Sequence, residues 1–126
     1  MNTHPNKIQN VISLTQQERY DYFVRKTTDS MHLWGLFQDG WAISQGNSIS
    51  IPFWPEECFA QMCATAEWSG LNAKCIEMDK FLENWLPGME RDNRTCLIFP
   101  TPTDKGLLKT PLALKFDLRN ELSKYE

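Results

Sequence analysis

Cysteine and histidine are the residue types in this sequence that could carry nucleophilic or metal chemistry. The cysteines are Cys58, Cys63, Cys75 and Cys96, and His32 is the one histidine beyond the first ten residues. A thiolate beside an imidazole can act as a nucleophile, and the same groups can hold zinc. However, no Cys-x-x-Cys pair occurs, and no cysteine lies close in sequence to a histidine. We therefore predict four reduced, metal-free thiols, no catalytic residue and no cofactor.

Motifs for nucleotide binding and for hydrolysis are missing from the sequence. It contains no G-x-G-x-x-G, no Walker loop, no H-E-x-x-H and no G-x-S-x-G. Glu56, Glu57 and Glu67 fall on one predicted helix and could include an acid–base pair, although most such acids form a solvated face. These patterns leave an enzymatic activity open but favour a non-catalytic protein.

Charge excludes some partners and favours others. The 126 residues include 13 Lys and Arg against 16 Asp and Glu, a net charge of −3. A nucleic-acid-binding domain needs a basic excess, so we expect no nucleic-acid partner. There is no apolar run long enough to span a membrane and no apolar signal segment at the N-terminus, so we expect a cytoplasmic protein. Residues 56–90 are strongly acidic and could attract a basic partner.

Tryptophan supplies the candidate binding site. Trp54 and Trp68 flank a predicted helix over residues 55–67. The apolar stripe of that helix is complete without them, so both are free to lie at the surface. Arg19 and Tyr22 lie off the apolar stripe of an earlier helix. We hypothesise that Arg19, Tyr22, Trp54 and Trp68 form one partly exposed patch, an aromatic anchor with a cation beside it. The alternative is that the tryptophans line the edge of an aromatic core.

The elements that must position these residues are typical of an α+β protein. Residues 1–7 are predicted as a flexible tail and residues 8–126 as a single domain. Two helices open the domain, and Thr15 and Glu18 form a capping box at the start of the second. Strands follow that mostly neighbour one another in sequence. We therefore predict a mostly antiparallel sheet with the helices packed on one face.

Three consecutive strands are predicted to form an antiparallel meander between Leu33 and Trp54. Asp39-Gly40 is typical of a two-residue hairpin turn. A three-residue second turn, residues 45–47, would place Ile43 opposite Ile49. This register gathers the large apolar side chains on one face and leaves small polar ones, including Ser44, Ser48 and Ser50, on the other.

Prolines mark predicted helix ends later in the chain. Pro55 starts the helix over residues 55–67, and Pro87-Gly88 ends a helix over residues 79–86. Thr110-Pro111 starts the last helix. Pro100 and Pro102 end the strand that precedes it.

Several sequence blocks together resemble a known family. They are Arg19-Tyr20-Asp21-Tyr22-Phe23, Trp34-Gly35-Leu36, Asp39-Gly40-Trp41-Ala42, Pro52-Phe53-Trp54-Pro55, the run from Phe81 to Met89, and Phe99-Pro100-Thr101-Pro102. The chain from about Ile8 onward resembles a bacterial domain-of-unknown-function family, the one numbered 2750. The resemblance implies a small soluble bacterial protein. It implies no activity, substrate or catalytic residue.

Two functions follow from these observations. The first is a non-catalytic protein-binding or accessory domain, immunity-like in character, with an unidentified protein as partner. The alternative is a small-molecule-binding domain or small enzyme with an aromatic-lined pocket. A ligand-induced thermal shift would favour the second function.

Overall fold

The fold is α+β, with helices at both ends of the chain and two small sheets between them. The computed structural model describes residues 5–124. The helices are α1 (Pro5–Ile12), α2 (Gln16–Ser30), α3 (Glu57–Met62), α4 (Met78–Lys80), α5 (Leu86–Arg91) and α6 (Pro111–Ser123). The strands are β1 (His32–Phe37), β2 (Ser44–Gln45), β3 (Ile49–Phe53), β4 (Asn72–Glu77), β5 (Thr95–Ile98) and β6 (Leu107–Lys109).

Two helices open the described chain, as predicted. Thr15 Oγ1 accepts a hydrogen bond from Glu18 N at 3.1 Å, and Thr15 N donates to Glu18 Oε1 at 3.0 Å, which confirms the capping box. The first helix begins at Pro5 rather than at Ile8, since proline is well suited to the first helical position. Residues 5–7 of the predicted tail are therefore helical. Residues 1–4 lie outside the described part of the chain.

Pairing in the sheets is mostly antiparallel, as predicted. β1 pairs with β4, and a four-stranded sheet has the order β2-β3-β5-β6. Only β3 and β5 run parallel among the described strands. Trp34 and Trp54 connect the two sheets through reciprocal backbone hydrogen bonds of 2.9 and 2.8 Å.

The predicted meander is wrong in its pairing. β1 forms its ladder with β4, and the Asp39-Gly40 turn closes with a bridge from Phe37 to Trp41, one residue wider than predicted. Gln45 rather than Ile43 lies opposite Ile49. The observed register differs from the predicted one by two residues. Such a shift keeps every side chain on its original face, so the apolar pattern cannot distinguish the two registers.

Helix ends around the prolines also differ from the prediction. α3 begins at Glu57 because Trp54 continues the path of β3 and residues 55–56 form a bend. The helix that starts at Met78 continues past Pro87 to Arg91 through a π-helical segment, Phe81–Trp85. In an α-helix the ring of Pro87 would clash with the carbonyl four residues earlier, and the wider π-turn relieves that clash.

One buried hydrophobic cluster extends from Val11 in α1 to Leu118 in α6. Its centre is aromatic: the ring centroids of Phe53 and Phe81 are 4.9 Å apart, and those of Phe59 and Phe99 are also 4.9 Å apart. Among residues 5–124, no helix combines the length and the apolar character that crossing a membrane requires.

Candidate functional site

The four predicted binding residues lie around one segment, Phe99-Pro100, which follows β5. Phe99 has a positive φ of 55°, an uncommon conformation for a bulky residue. Its amide donates to Phe53 O at 2.9 Å, so the strained residue is held by the neighbouring strand. Side chains from three other elements donate to the carbonyl oxygens of Phe99 and Pro100. The segment is therefore the point where the elements that carry the predicted residues meet.

Arg19 is buried, contrary to the prediction that it faces a neighbour or solvent. Its Nε donates to Phe99 O at 3.2 Å and its Nη1 to Leu14 O at 2.7 Å, and its Nη2 forms an ion pair with Asp104. Burial tends to raise the pKa of Asp104, but hydrogen bonds from Gln16 and Arg19 and the Arg19 charge outweigh it and lower that pKa. Arg19 lies one turn before the buried Phe23, on the inward side of α2.

Trp54 is also buried, with none of its surface exposed, so it is a core residue and not part of an exposed patch. Its indole Nε1 donates to Pro100 O at 2.8 Å, which satisfies the polar atom of the ring inside the protein. The sequence prediction failed because Trp54 continues β3 and does not flank a helix.

Tyr22 is half-buried, and its ring packs against Phe59 and Phe99. Its hydroxyl donates to the Glu56 carboxylate, which also accepts from Lys7 Nζ at 2.9 Å. Burial, followed by the hydrogen bond to Glu56, raises the pKa of Tyr22. Tyr22 therefore connects α2 to the start of α3.

Trp68 is the predicted residue that lies beside open depressions in the protein surface. Its ring meets the Trp54 ring edge-on, with centroids 5.9 Å apart, and its Nε1 donates to Ile43 O at 2.9 Å. The indole is thereby fixed in orientation while half-buried. It lines two adjoining depressions in the surface, of about 950 and about 550 Å³.

The larger depression, here called the Trp68 groove, crosses the four-stranded sheet. Each strand contributes to its lining, with Ser44 from β2, Ser50 from β3, Leu97 from β5 and Leu108 from β6 among the residues. The strand pairings place these four side chains on the face opposite the core, since Ile51, Phe53, Cys96 and Ile98 occupy the buried face. Three serines of the predicted polar face, Ser44, Ser48 and Ser50, thus line the groove together with leucines of β5 and β6.

The two ends of the groove are turns. The β2–β3 turn, residues 46–48, borders one end, and residues 100–106 border the other. Glu67 stands beside Trp68, and Thr101 contributes a buried hydroxyl that has no hydrogen-bond partner within residues 5–124. The lining is mainly hydroxyl, amide and apolar. It therefore offers neutral hydrogen-bonding groups beside an aromatic wall.

Sequence reasoning missed the β5–β6 side of the groove. A usable signal exists in Leu107-Leu108, because two successive strand residues point to opposite faces and one leucine must therefore leave the core. Leu108 is 59% exposed. No comparable signal marks Thr101, whose position depends on the fold of the turn.

Two of the thiols are buried, and His32 packs against a tryptophan. Cys63 donates to Pro100 O at 3.3 Å, and burial raises the pKa of Cys63 to about 11 and of Cys96 to about 12, so both are protonated at neutral pH. His32 packs edge-on against Trp34. All four cysteines are free, and within residues 5–124 no group of three His, Cys, Asp or Glu side chains could hold a metal ion.

Comparisons with known proteins agree with the resemblance noted from the sequence blocks. Neither the curated proteins nor the solved structures yield a match. A family model matches residues 20–118, a range that includes Trp68 and every strand of the sheet. The chain belongs to this family, described as a protein of unknown function, DUF2750.

Proposed function

We propose that this domain is a non-catalytic cytoplasmic protein of bacteria that binds an extended segment of a partner protein in the Trp68 groove. The observation that carries the proposal is the groove across the sheet, which residues of all four neighbouring strands line. We propose an accessory, immunity-like role as the biological setting.

The dimensions of the groove suit a short extended peptide. Neighbouring strands lie about 4.8 Å apart, so β2 and β6 are separated by roughly 14 Å. An extended chain rises about 3.3 Å per residue, and about four residues therefore cross the sheet. A segment of this length is the size of a linear recognition motif.

The chemistry of the lining also suits a peptide. A peptide backbone needs neutral donors and acceptors, which Ser44 and the exposed Ser48 supply. Its side chains need apolar contacts, which Leu108 and Trp68 supply. The unpartnered hydroxyl of Thr101 at the end of the groove is a further hydrogen-bonding group that a bound segment could satisfy.

The alternative is a small-molecule site or a small enzyme that uses the same aromatic wall. Trp68 favours it, because an indole held in a fixed orientation also suits a planar ligand. The protonated thiols Cys63 and Cys96 weigh against nucleophilic chemistry. We therefore place peptide binding first.

Selection from a displayed library of random heptapeptides on the immobilised full chain tests the proposal. Leu108→Glu should weaken the selected peptides by more than about tenfold, the loss expected for a central apolar contact. The matched control is Leu112→Glu, because Leu112 is 63% exposed but lies on α6 outside the groove. Trp68→Ala and Trp34→Ala form a second pair, since both indoles are half-buried and only Trp68 lines the groove.

The outcomes separate the two functions. Peptide binding that Leu108→Glu and Trp68→Ala abolish, and that both controls retain, supports the proposal. Equal losses in a variant and its control would refute the assignment to the groove. A library without enrichment, combined with a metabolite-induced thermal shift that Trp68→Ala removes, would replace the proposal with the small-molecule alternative.

A further inference from the structure

The outward face of α6 exposes two large apolar side chains to solvent. Leu112 and Phe116, one turn apart, are 63% and 71% exposed, while Leu114 and Leu118 on the opposite side are buried. Leu112 and Phe116 together line a shallow hollow of about 470 Å³. Adjacent exposed apolar side chains of this size are typical of interaction sites.

Two cations flank this apolar pair. Lys115 and Arg119 line the same hollow, and neither forms an ion pair or a hydrogen bond with the described residues. The helical repeat of 3.6 residues places both on the outward face with Leu112 and Phe116. We call these four residues, Leu112, Lys115, Phe116 and Arg119, the α6 face.

The acids of α6 do not neutralise those cations. Asp117 accepts a hydrogen bond from the hydroxyl of Tyr20 in α2, and Glu121 forms its ion pair with Lys124 at 3.0 Å. Both carboxylates are therefore engaged away from the α6 face. The face presents an apolar centre with unbalanced positive charge.

We infer that the α6 face docks an acidic amphipathic helix of a partner protein. Helices recognise one another through apolar residues spaced three and four apart, and Leu112 and Phe116 have this spacing. Glutamate or aspartate beside the partner's apolar residues would pair with Lys115 and Arg119. This surface is separate from the Trp68 groove, so a second protein contact does not depend on the first.

Charge disfavours two other partners that could cover the α6 face, a second copy of this chain and an anionic membrane. Two-fold pairing with a second copy would bring Lys115 and Arg119 of both copies together, and like charges repel. An anionic membrane would attract two cations only weakly and would be repelled by the net charge of −3. The acidic helix is the occupant that the charges favour.

Two synthetic helical peptides with leucine at i, i+3, i+4 and i+7 test the inference. One carries glutamate at the flanking positions and the other carries lysine. Fluorescence anisotropy with the full chain should show at least about tenfold tighter binding of the glutamate peptide. Phe116→Ala should weaken that binding by about tenfold. Leu108→Glu, in the groove, should leave it unchanged.

The decisive variant is the charge reversal Lys115→Glu with Arg119→Glu. This double variant should bind the lysine peptide more tightly than the glutamate peptide. Misfolding would weaken the binding of both peptides and would not produce this reversal. Absence of any charge preference, or unchanged binding by Phe116→Ala, would overturn the inference. Tighter binding to phosphatidylserine vesicles than to either peptide would replace it with a membrane surface. A dimer that Phe116→Ala abolishes in sedimentation would replace it with self-association.

Discussion

Replacing Arg19 with methionine tests the hydrogen bonds that hold the chain at the end of β5. The guanidinium donates to Phe99 O and to Leu14 O and pairs with Asp104. Methionine keeps an apolar stem in place of the arginine stem but supplies no donor. The variant therefore leaves two carbonyl oxygens without their charged donor while changing the packing little.

The magnitude follows from the burial of each partner. A hydrogen bond from a charged group contributes about 1.5–3 kcal/mol, and both carbonyl groups lose one. The Asp104 side chain is 34% exposed, so its carboxylate regains water and its loss adds little. We expect Arg19→Met to lower the free energy of unfolding by about 3–5 kcal/mol. For a chain of this length that is a fall in Tm of roughly 10–20 °C.

Urea and thermal unfolding followed by circular dichroism measure this loss. Arg25→Met is the matched control, because Arg25 is exposed on the same helix, and we expect a change within about 0.5 kcal/mol. Arg19→Lys should be intermediate, since one ammonium group cannot reach all three partners. Equal losses for Arg19→Met and Arg25→Met would refute the stabilising role of the buried guanidinium.

Acid unfolding provides an independent check. The folded-state pKa of Asp104 is lowered, so its contribution to stability is present above the unfolded-state pKa of about 4 and is lost as the pH falls through the folded pKa. Wild type should therefore lose more stability than Arg19→Met between neutral pH and about pH 3. Parallel curves for the two proteins would contradict this assignment.

Three further predictions concern the backbone, a tyrosine and the thiols. Gly106→Ala should lower the free energy of unfolding in urea by about 1–3 kcal/mol, because φ is +87° and the new Cβ would lie 2.8 Å from a β5 carbonyl oxygen. Gly46→Ala is the control and should change this free energy little, since no atom lies within 4 Å of its new Cβ. The folded-state pKa of Tyr22 is raised, so the contribution of its protonated hydroxyl to stability is complete below about pH 10 and is lost as the pH rises further. The Tm of Tyr22→Phe should therefore fall less steeply with alkaline pH than the Tm of the wild type. Equal slopes of Tm against pH for the two proteins would contradict the assignment. A thiol reagent should modify the exposed Cys75 in the native protein well before the two buried cysteines, and the denatured protein without reductant should show four thiols, any lower number indicating a disulfide.

Short sequence motifs correctly predicted the helix ends that depend only on residues next to them in the chain. The capping box at Thr15 and the start of α6 after Thr110 are both confirmed, because each depends on hydrogen bonds within one helical turn. The α+β class and the mostly antiparallel pairing are also confirmed. Of the antiparallel pairs, β2–β3 and β5–β6 are local hairpins.

Long-range pairing was beyond the sequence signals. The parallel contact between β3 and β5 joins Ser50 to Thr95, and nothing in the apolar pattern of either strand specifies the other. The pairing of β1 with β4 is equally distant. The predicted meander was wrong because it assumed that strands adjacent in sequence pair first.

The candidate site was predicted in part. Trp68 is half-buried and lines a groove, whereas Arg19 and Trp54 are buried. Their burial depends on the carbonyl oxygens of Phe99 and Pro100, which accept hydrogen bonds from both side chains. No spacing rule relates residues so far apart in the chain. The sequence therefore predicts which helix or strand carries each residue, but it does not predict which residues its side chain contacts.

The two turns that border the Trp68 groove differ in how freely they could change length. Residues 99–106 are held at successive points, by Arg19, Trp54 and the close approach of Gly106 to β5, so an inserted residue would break several contacts together. The β2–β3 turn has open space around Gly46. Insertions there would lengthen one wall and leave the core intact. A change in the length of the β2–β3 turn would therefore reshape one end of the groove, whereas the other end is fixed by its contacts with Arg19, Trp54 and β5.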